Sequence, residues 1–175
     1  MQPSPNARSP TLWACLAAYL FLIVYASLYP FVVWSDLGLP PFAYFGNGLP
    51  RYWTWFDVIT NVLGYIPFGF ILVLIPYPQW HGLGAILLAT LGGALLSGGL
   101  EATQTFLPSR VPSLLDWLTN LGGTLIGAVL GSLLATPILL RSKLAQLRRQ
   151  WLVHEAGPGL VLLALWPLAQ VYPQG

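Results

Sequence analysis

Four apolar runs, each long enough to cross a bilayer, leave this chain few folds to choose from. They are Leu12–Val33, Val58–Ile75, Leu83–Thr103 and Leu114–Leu140, and a hydrocarbon core takes about 20 helical residues to span. The second is interrupted by Pro67, the fourth is rich in glycine, and the first is too long for the core of a cleaved signal peptide. A fifth run, Gly159–Val171, is short and contains Pro167. Only 7% of the 175 residues are charged, against about 25% in soluble domains, so lipid must be the solvent for most of the chain. The expected fold is all-α: a polytopic membrane helix bundle with four transmembrane helices plus a short fifth apolar segment at the C-terminus. The chain divides into a tail (1–11), a transmembrane domain (12–140), a basic juxtamembrane segment (141–156) and a short apolar segment (157–175).

Basic residues are retained on the cytoplasmic side of a membrane. Arg141, Lys143, Arg148 and Arg149 directly follow the fourth run, which puts that end in the cytoplasm, with the basic stretch a juxtamembrane anchor on anionic lipid. Four crossings then place the N-terminus and Arg8 on the same side. The loops 34–56 and 106–113 are expected to face outward. Trp34, Tyr52, Trp53, Trp55, Trp80, Trp117 and Trp151 bunch near the expected interfaces, as an aromatic belt would. Outside the C-terminal cluster the basic residues form no patch, so no nucleic-acid footprint exists.

The octet DVITNVLG (Asp57–Gly64) returns as DWLTNLGG (Asp116–Gly123), and each opens an apolar run. At about 100° per residue, Asp57, Asn61 and Gly64 share one stripe, as do Asp116, Asn120, Gly123, Gly127 and Gly131. On the third helix Thr90, Gly93, Ser97, Glu101 and Gln104 share a face. Small residues four apart let helix backbones approach closely. The stripes therefore point into a tight bundle of the second, third and fourth helices, with the carboxylates at its outer mouth.

Two readings compete for these residues. Thr54–Asp57 and Ser113–Asp116 fit the capping pattern in which an acid satisfies free N–H groups at a helix start, with Pro112 suited to such a start. Glu101 escapes that account, because it ends an outward-running helix at the pole where negative charge is disfavoured. It needs a partner, and Arg110 is the nearest cation in sequence. Ionisable residues inside a membrane are functional hypotheses by default.

Other chemistry is excluded. Cys15 is the only cysteine, so it forms no internal disulfide and reads as a small buried apolar residue. His81 and His154 are too distant to assemble a metal site. Phosphate-loop and Ser/His/Asp patterns are absent, and no cofactor is called for.

FDVITNVLGYIPFGF and SGGLEATQTFLPSRVPSLLDWLTNLGGTLIGA together resemble the VanZ-like family of bacterial membrane proteins. The matching positions are Asp57, Asn61, Pro67 and Gly69, then Glu101 and Gln104, then Arg110, Asp116, Asn120 and Gly123. The likeness covers roughly Leu12–Leu140; residues 141–175 look like the beginning of longer VanZ-like chains with further membrane segments. It implies a small helical domain of the bacterial inner membrane, in a family whose founding member is linked to teicoplanin resistance.

The expected site is an extracytoplasmic pocket in which Glu101 and Arg110 pair. Candidate catalytic residues are Glu101, Arg110 and Asp116; candidate binding residues are Asp57, Asn61, Gln104 and Asn120. Arg110 would contact the phosphate of a lipid-linked or phospholipid substrate, with Glu101 or Asp116 as base or hydrogen-bond acceptor. Expected partners are membrane lipids, a lipid-linked precursor or glycopeptide, and other membrane subunits. The rival reading is a non-enzymatic accessory subunit of a larger photosynthetic or respiratory complex, bound through glycine-rich helix faces. Whether the chain is an enzyme stays open at this point.

Overall fold

The computed structural model describes residues 10–31 and 33–139, with side chains through 135. Most of the expected N-terminal tail, and both segments after 140, lie outside the described residues. Four helices follow in order: α1 Pro10–Leu28, α2 Trp55–Leu74, α3 Gly82–Gln104 and α4 Leu114–Leu139. Each is long and apolar enough to cross a membrane, and their boundaries fall within a few residues of the last three expected runs. The chain is a membrane helix bundle.

α1 is shorter than its apolar run. It stops at Leu28, ahead of Pro30, which lacks an N–H and disfavours helix at the residue before it. α2, by contrast, runs straight through Pro67. Neighbouring groups re-satisfy backbone polarity around a proline in a membrane helix. Pro67 leaves the Leu63 carbonyl without its helical donor, and at the next carbonyl, Gly64, the Tyr19 hydroxyl of α1 donates at 2.8 Å.

The closest helix pair is α2 with α4, and glycine makes it possible. Gly123, Gly127 and Gly131 lie against the backbone of Val62, Ile66 and Phe70, so close that a Cβ at any of the three would overlap it. Gly69 of α2 returns the favour against the Thr124 backbone, and Gly93 of α3 makes room for the Thr124 side chain. Thr124 is fully buried. The fourth-helix glycine stripe is therefore consumed inside the bundle rather than left for docking another subunit.

Two apolar clusters complete the interior. Ile23, Leu28, Tyr65, Phe68, Leu100 and Leu107 join α1 to α2 and α3 near one end. Val73, Leu74, Ala85, Ala89, Ala128 and Ala135 close the other. The outer faces are aliphatic and aromatic, as lipid requires: Phe21 on α1 and the α3 ridge Leu83, Leu87, Leu91 and Leu95 are exposed. Cys15 is half-exposed on α1 rather than buried.

Between α1 and α2 a long loop returns over the bundle end. Its short 3-10 turn, Ala43–Phe45, buries Tyr44. Phe45 sets its ring edge-on to Trp117, with centroids 5.2 Å apart. Trp117 thus faces inward, with Nε1 donating to the Ala94 carbonyl at 3.1 Å. It leaves the expected aromatic belt because that carbonyl satisfies its one donor. Trp34, Tyr52, Trp53, Trp55 and Trp80 remain exposed.

Gly127→Ala places a methyl group where the Ile66 carbonyl sits, and overpacking of this kind costs about 1–3 kcal/mol. Gly122→Ala, one position from the stripe with nothing within 4 Å of its added Cβ, should be neutral. Thermal unfolding of the two variants in one detergent checks this: only Gly127→Ala should melt early.

Candidate functional site

The polar residues collect where α2 begins, α3 ends and α4 begins. Asp57, at the start of α2, is exposed and forms a full capping box. Its carboxylate accepts from the Thr54 N–H at 3.0 Å and the Thr54 hydroxyl at 2.7 Å, while its own N–H donates to that hydroxyl at 3.2 Å. The matching octet on α4 starts in the same way and then departs. The Asp116 N–H reaches the Ser113 hydroxyl at 3.4 Å, but the Ser113 N–H donates to Glu101 Oε2 at 2.8 Å. A carboxylate from α3 has taken the place that the fourth helix's own acid would fill.

That contact answers the puzzle of Glu101. At the C-terminal end of α3 its charge sits at the unfavourable pole of its own helix, but it lies on the N-terminal start of α4, where free N–H groups attract an anion. Glu101 is only 3% exposed. Buried charge of this sort needs hydrogen bonds to be tolerated, and one of its oxygens has one.

The expected Glu101–Arg110 ion pair does not form. Arg110 turns to α1 instead: Nη2 donates to the Ala26 and Tyr29 carbonyls at 3.0 and 2.8 Å, and Nε to Tyr29 at 3.1 Å. Gln104 Nε2 joins it, donating to the Ser27 carbonyl at 2.9 Å. The last carbonyls of a helix have no intrahelical partner, and a cation there also meets the negative pole of the helix. Arg110 and Gln104 are therefore the clasp that holds the end of α1. The phosphate-contact role expected for Arg110 loses those two nitrogens to protein carbonyls.

Asp116 is half-buried between these groups, with Asn61 beside its carboxyl and with Asp57, Glu101 and Arg110 within electrostatic reach. One turn deeper, the Asn120 amide donates to the Ser97 hydroxyl at 3.0 Å. Both residues are buried. Asn120 Oδ1 has no hydrogen-bond partner, and neither does the hydroxyl of Tyr65, which is also buried. Tyr65 lies beside Ser97, without a hydrogen bond of good geometry to it, and within electrostatic reach of Glu101. Tyr44 covers the cluster from the loop, donating to the Gly98 carbonyl at 3.3 Å. Burial pushes its phenol above its ordinary pKa, and the Glu101 charge adds to that, so it stays a donor.

Of the expected site residues, then, Glu101, Asp116, Asn61 and Asn120 come together and Asp57 stands at the rim. Gln104 and Arg110 serve α1. Tyr65, Tyr44 and the Ser113 N–H were missed. Tyr65 follows Asn61 by four residues and shares its helical stripe, a signal that was there to read; Tyr44 sits in a loop with no periodicity to mark it.

The VanZ/LLP1 family model matches residues 12–135. The chain belongs to the VanZ/LLP1 family. No curated protein and no solved structure matches it. The matched stretch contains the capping, clasping and buried polar groups described here.

Arg110→Ala leaves the Ala26 and Tyr29 carbonyls without these donors. Hydrogen bonds to a charged group contribute about 1.5–3 kcal/mol, so this variant should lose stability on that scale. Arg110→Lys, lacking the planar fork, should fall between. Limited proteolysis of the loop after α1 would check it, cleavage being fastest in Arg110→Ala.

Proposed function

We propose that this VanZ/LLP1 member resides in the bacterial inner membrane and binds the headgroup of a cell-envelope lipid or lipid-linked cell-wall precursor at its extracytoplasmic end. The placement of Arg141, Lys143, Arg148 and Arg149 after α4 supports that orientation, since basic segments stay in the cytoplasm. It puts the starts of α2 and α4, and with them the three carboxylates, on the outer side. A glycopeptide-resistance role fits such a site, because glycopeptides act on lipid-linked precursors.

The observation that carries the reading is the buried cluster around Glu101. An unpaired buried polar atom costs about 1–3 kcal/mol. Tyr65 holds one within electrostatic reach of Glu101, and Asn120 holds another, joined by its amide to Ser97, a turn before Glu101 on α3. A bundle selected only for stability would replace them with apolar groups. Glu101 and Asp116 act here as acceptors toward the ligand, Asn61 and Asn120 orient it, and Arg110 holds α1 in place beside them.

A second reading, an accessory subunit of a larger membrane complex, draws on the exposed ridge Leu83, Leu87, Leu91 and Leu95, whose four-residue spacing suits a neighbouring helix as well as lipid.

Native mass spectrometry of the chain purified in mild detergent separates the two. The headgroup reading expects a lone chain or homo-oligomer carrying an envelope lipid, with Glu101→Gln losing most of it. Protein partners in fixed ratio, with lipid unaffected by that change, would support the subunit. For orientation, in a Cys15→Ala background, Ser109→Cys should react with an impermeant thiol reagent on intact spheroplasts and His81→Cys should not.

A further inference from the structure

The donors and acceptors around Glu101 are unequally committed. Arg110 spends Nε and Nη2 on α1 carbonyls, Gln104 its amide on Ser27, Trp117 its indole on Ala94 and Asn120 its amide on Ser97. The acceptors stay open: Glu101 takes one backbone N–H through Oε2 alone, Asn120 Oδ1 takes nothing, and the Tyr65 hydroxyl makes no hydrogen bond of good geometry, with Ser97 beside it. Three carboxyls gather at this end of the bundle, Arg110 reaching only Asp116 electrostatically, and their burial rises from exposed Asp57 through half-buried Asp116 to buried Glu101. Such a series draws a cation inward and repels an anion. Among the described residues no three acids, histidines or cysteines stand close enough to hold a metal ion.

We propose that the group this site takes, between Glu101, Asn120 and Tyr65, is a primary ammonium. An –NH₃⁺ has three donors and no acceptor, which matches a carboxyl oxygen, an amide oxygen and a phenol oxygen left without donors. A quaternary ammonium has no N–H to give, and a phosphate, an acceptor throughout, would find only the Tyr65 O–H to donate to it beside a carboxyl and an amide oxygen. The inference rests on the headgroup reading and names which part of the ligand goes inward: the amine enters, and the phosphate of an aminophospholipid stays outside with the loop. The Tyr65 hydroxyl and Asn120 Oδ1 are then ligand groups, and their lack of protein partners is explained.

The test uses the full chain in nanodiscs of three compositions, with ethanolamine, choline or glycerol headgroups on the same acyl chains, and free ethylammonium chloride as a soluble probe. Lipid retained after detergent extraction is counted by native mass spectrometry, and thermal stability is read alongside. Ethanolamine lipid should be retained about tenfold over the other two, the ratio that one charge-assisted hydrogen bond gives. Glu101→Gln should erase the preference while still accepting the Ser113 N–H. Tyr65→Phe removes a hydroxyl that bonds nothing in the protein, so it should melt no earlier than the parent yet lose most of the preference.

Glu101-dependent retention without amine preference would overturn the ammonium assignment and leave the headgroup reading standing. Stabilisation by ethylammonium, lost in Glu101→Gln and Tyr65→Phe, with no lipid retained, would uphold the ammonium site and move its source from lipid to a free amine. No lipid retained together with no stabilisation by ethylammonium, or a preference unchanged in both variants, would overturn it.

Discussion

The backbone contact between α2 and α4 is the constraint on which the rest of the molecule depends. Inside a bilayer apolar side chains gain nothing by leaving lipid for one another, so helices associate through close packing and interhelical hydrogen bonds. Gly123, Gly127 and Gly131 supply that closeness by presenting no side chain to Val62, Ile66 and Phe70. The register so set brings Asn61 beside Asp116. On the third side, Gly93 admits Thr124, while Ser97 receives the Asn120 amide. One glycine ladder thus decides which polar groups meet.

Helix ends decide the rest. A helix leaves N–H groups free at its start and carbonyls free at its end, and lipid offers neither a partner. In this bundle side chains from other segments meet that need. Glu101 of α3 satisfies the start of α4, while Gln104 and Arg110 satisfy the end of α1. Both charges expected to find each other find helix termini instead, each at the pole its sign prefers. The result leaves an acceptor-rich centre and a cation committed to the end of α1, which changes the kind of ligand the cluster suits.

The twin octets show how far pattern reading reaches. Thr54–Asp57 behaves as the capping pattern predicts, with both reciprocal hydrogen bonds in place. Ser113–Asp116 carries the same letters and keeps only half the motif, because Glu101 arrives from another helix with better access to the Ser113 N–H. A local motif specifies what a helix start can accept; it does not specify which acid reaches it. Tyr65 extends the Asp57–Asn61 stripe by one turn and was within reach of the same periodicity. Tyr44 was not, since a loop residue's depth depends on where the loop lands.

By itself the sequence determined the solvent, the four spans of the described residues, the limits of the last three and the inward faces. Long apolar runs, helical periodicity and scarce charge are local properties, and lipid permits few responses to them. It also determined the residues of the polar end, and with them the family. Only the tertiary structure decided who partners whom: that the end of α1 is clasped by Arg110, that α2 continues past Pro67, that the glycines serve an internal contact, and that Asn120 and Tyr65 keep atoms unpaired around Ser97. Those outcomes turn on distances of a few tenths of an ångström between groups far apart in the chain, and hydrogen bonds are lost over such distances while hydrophobic patterns are not.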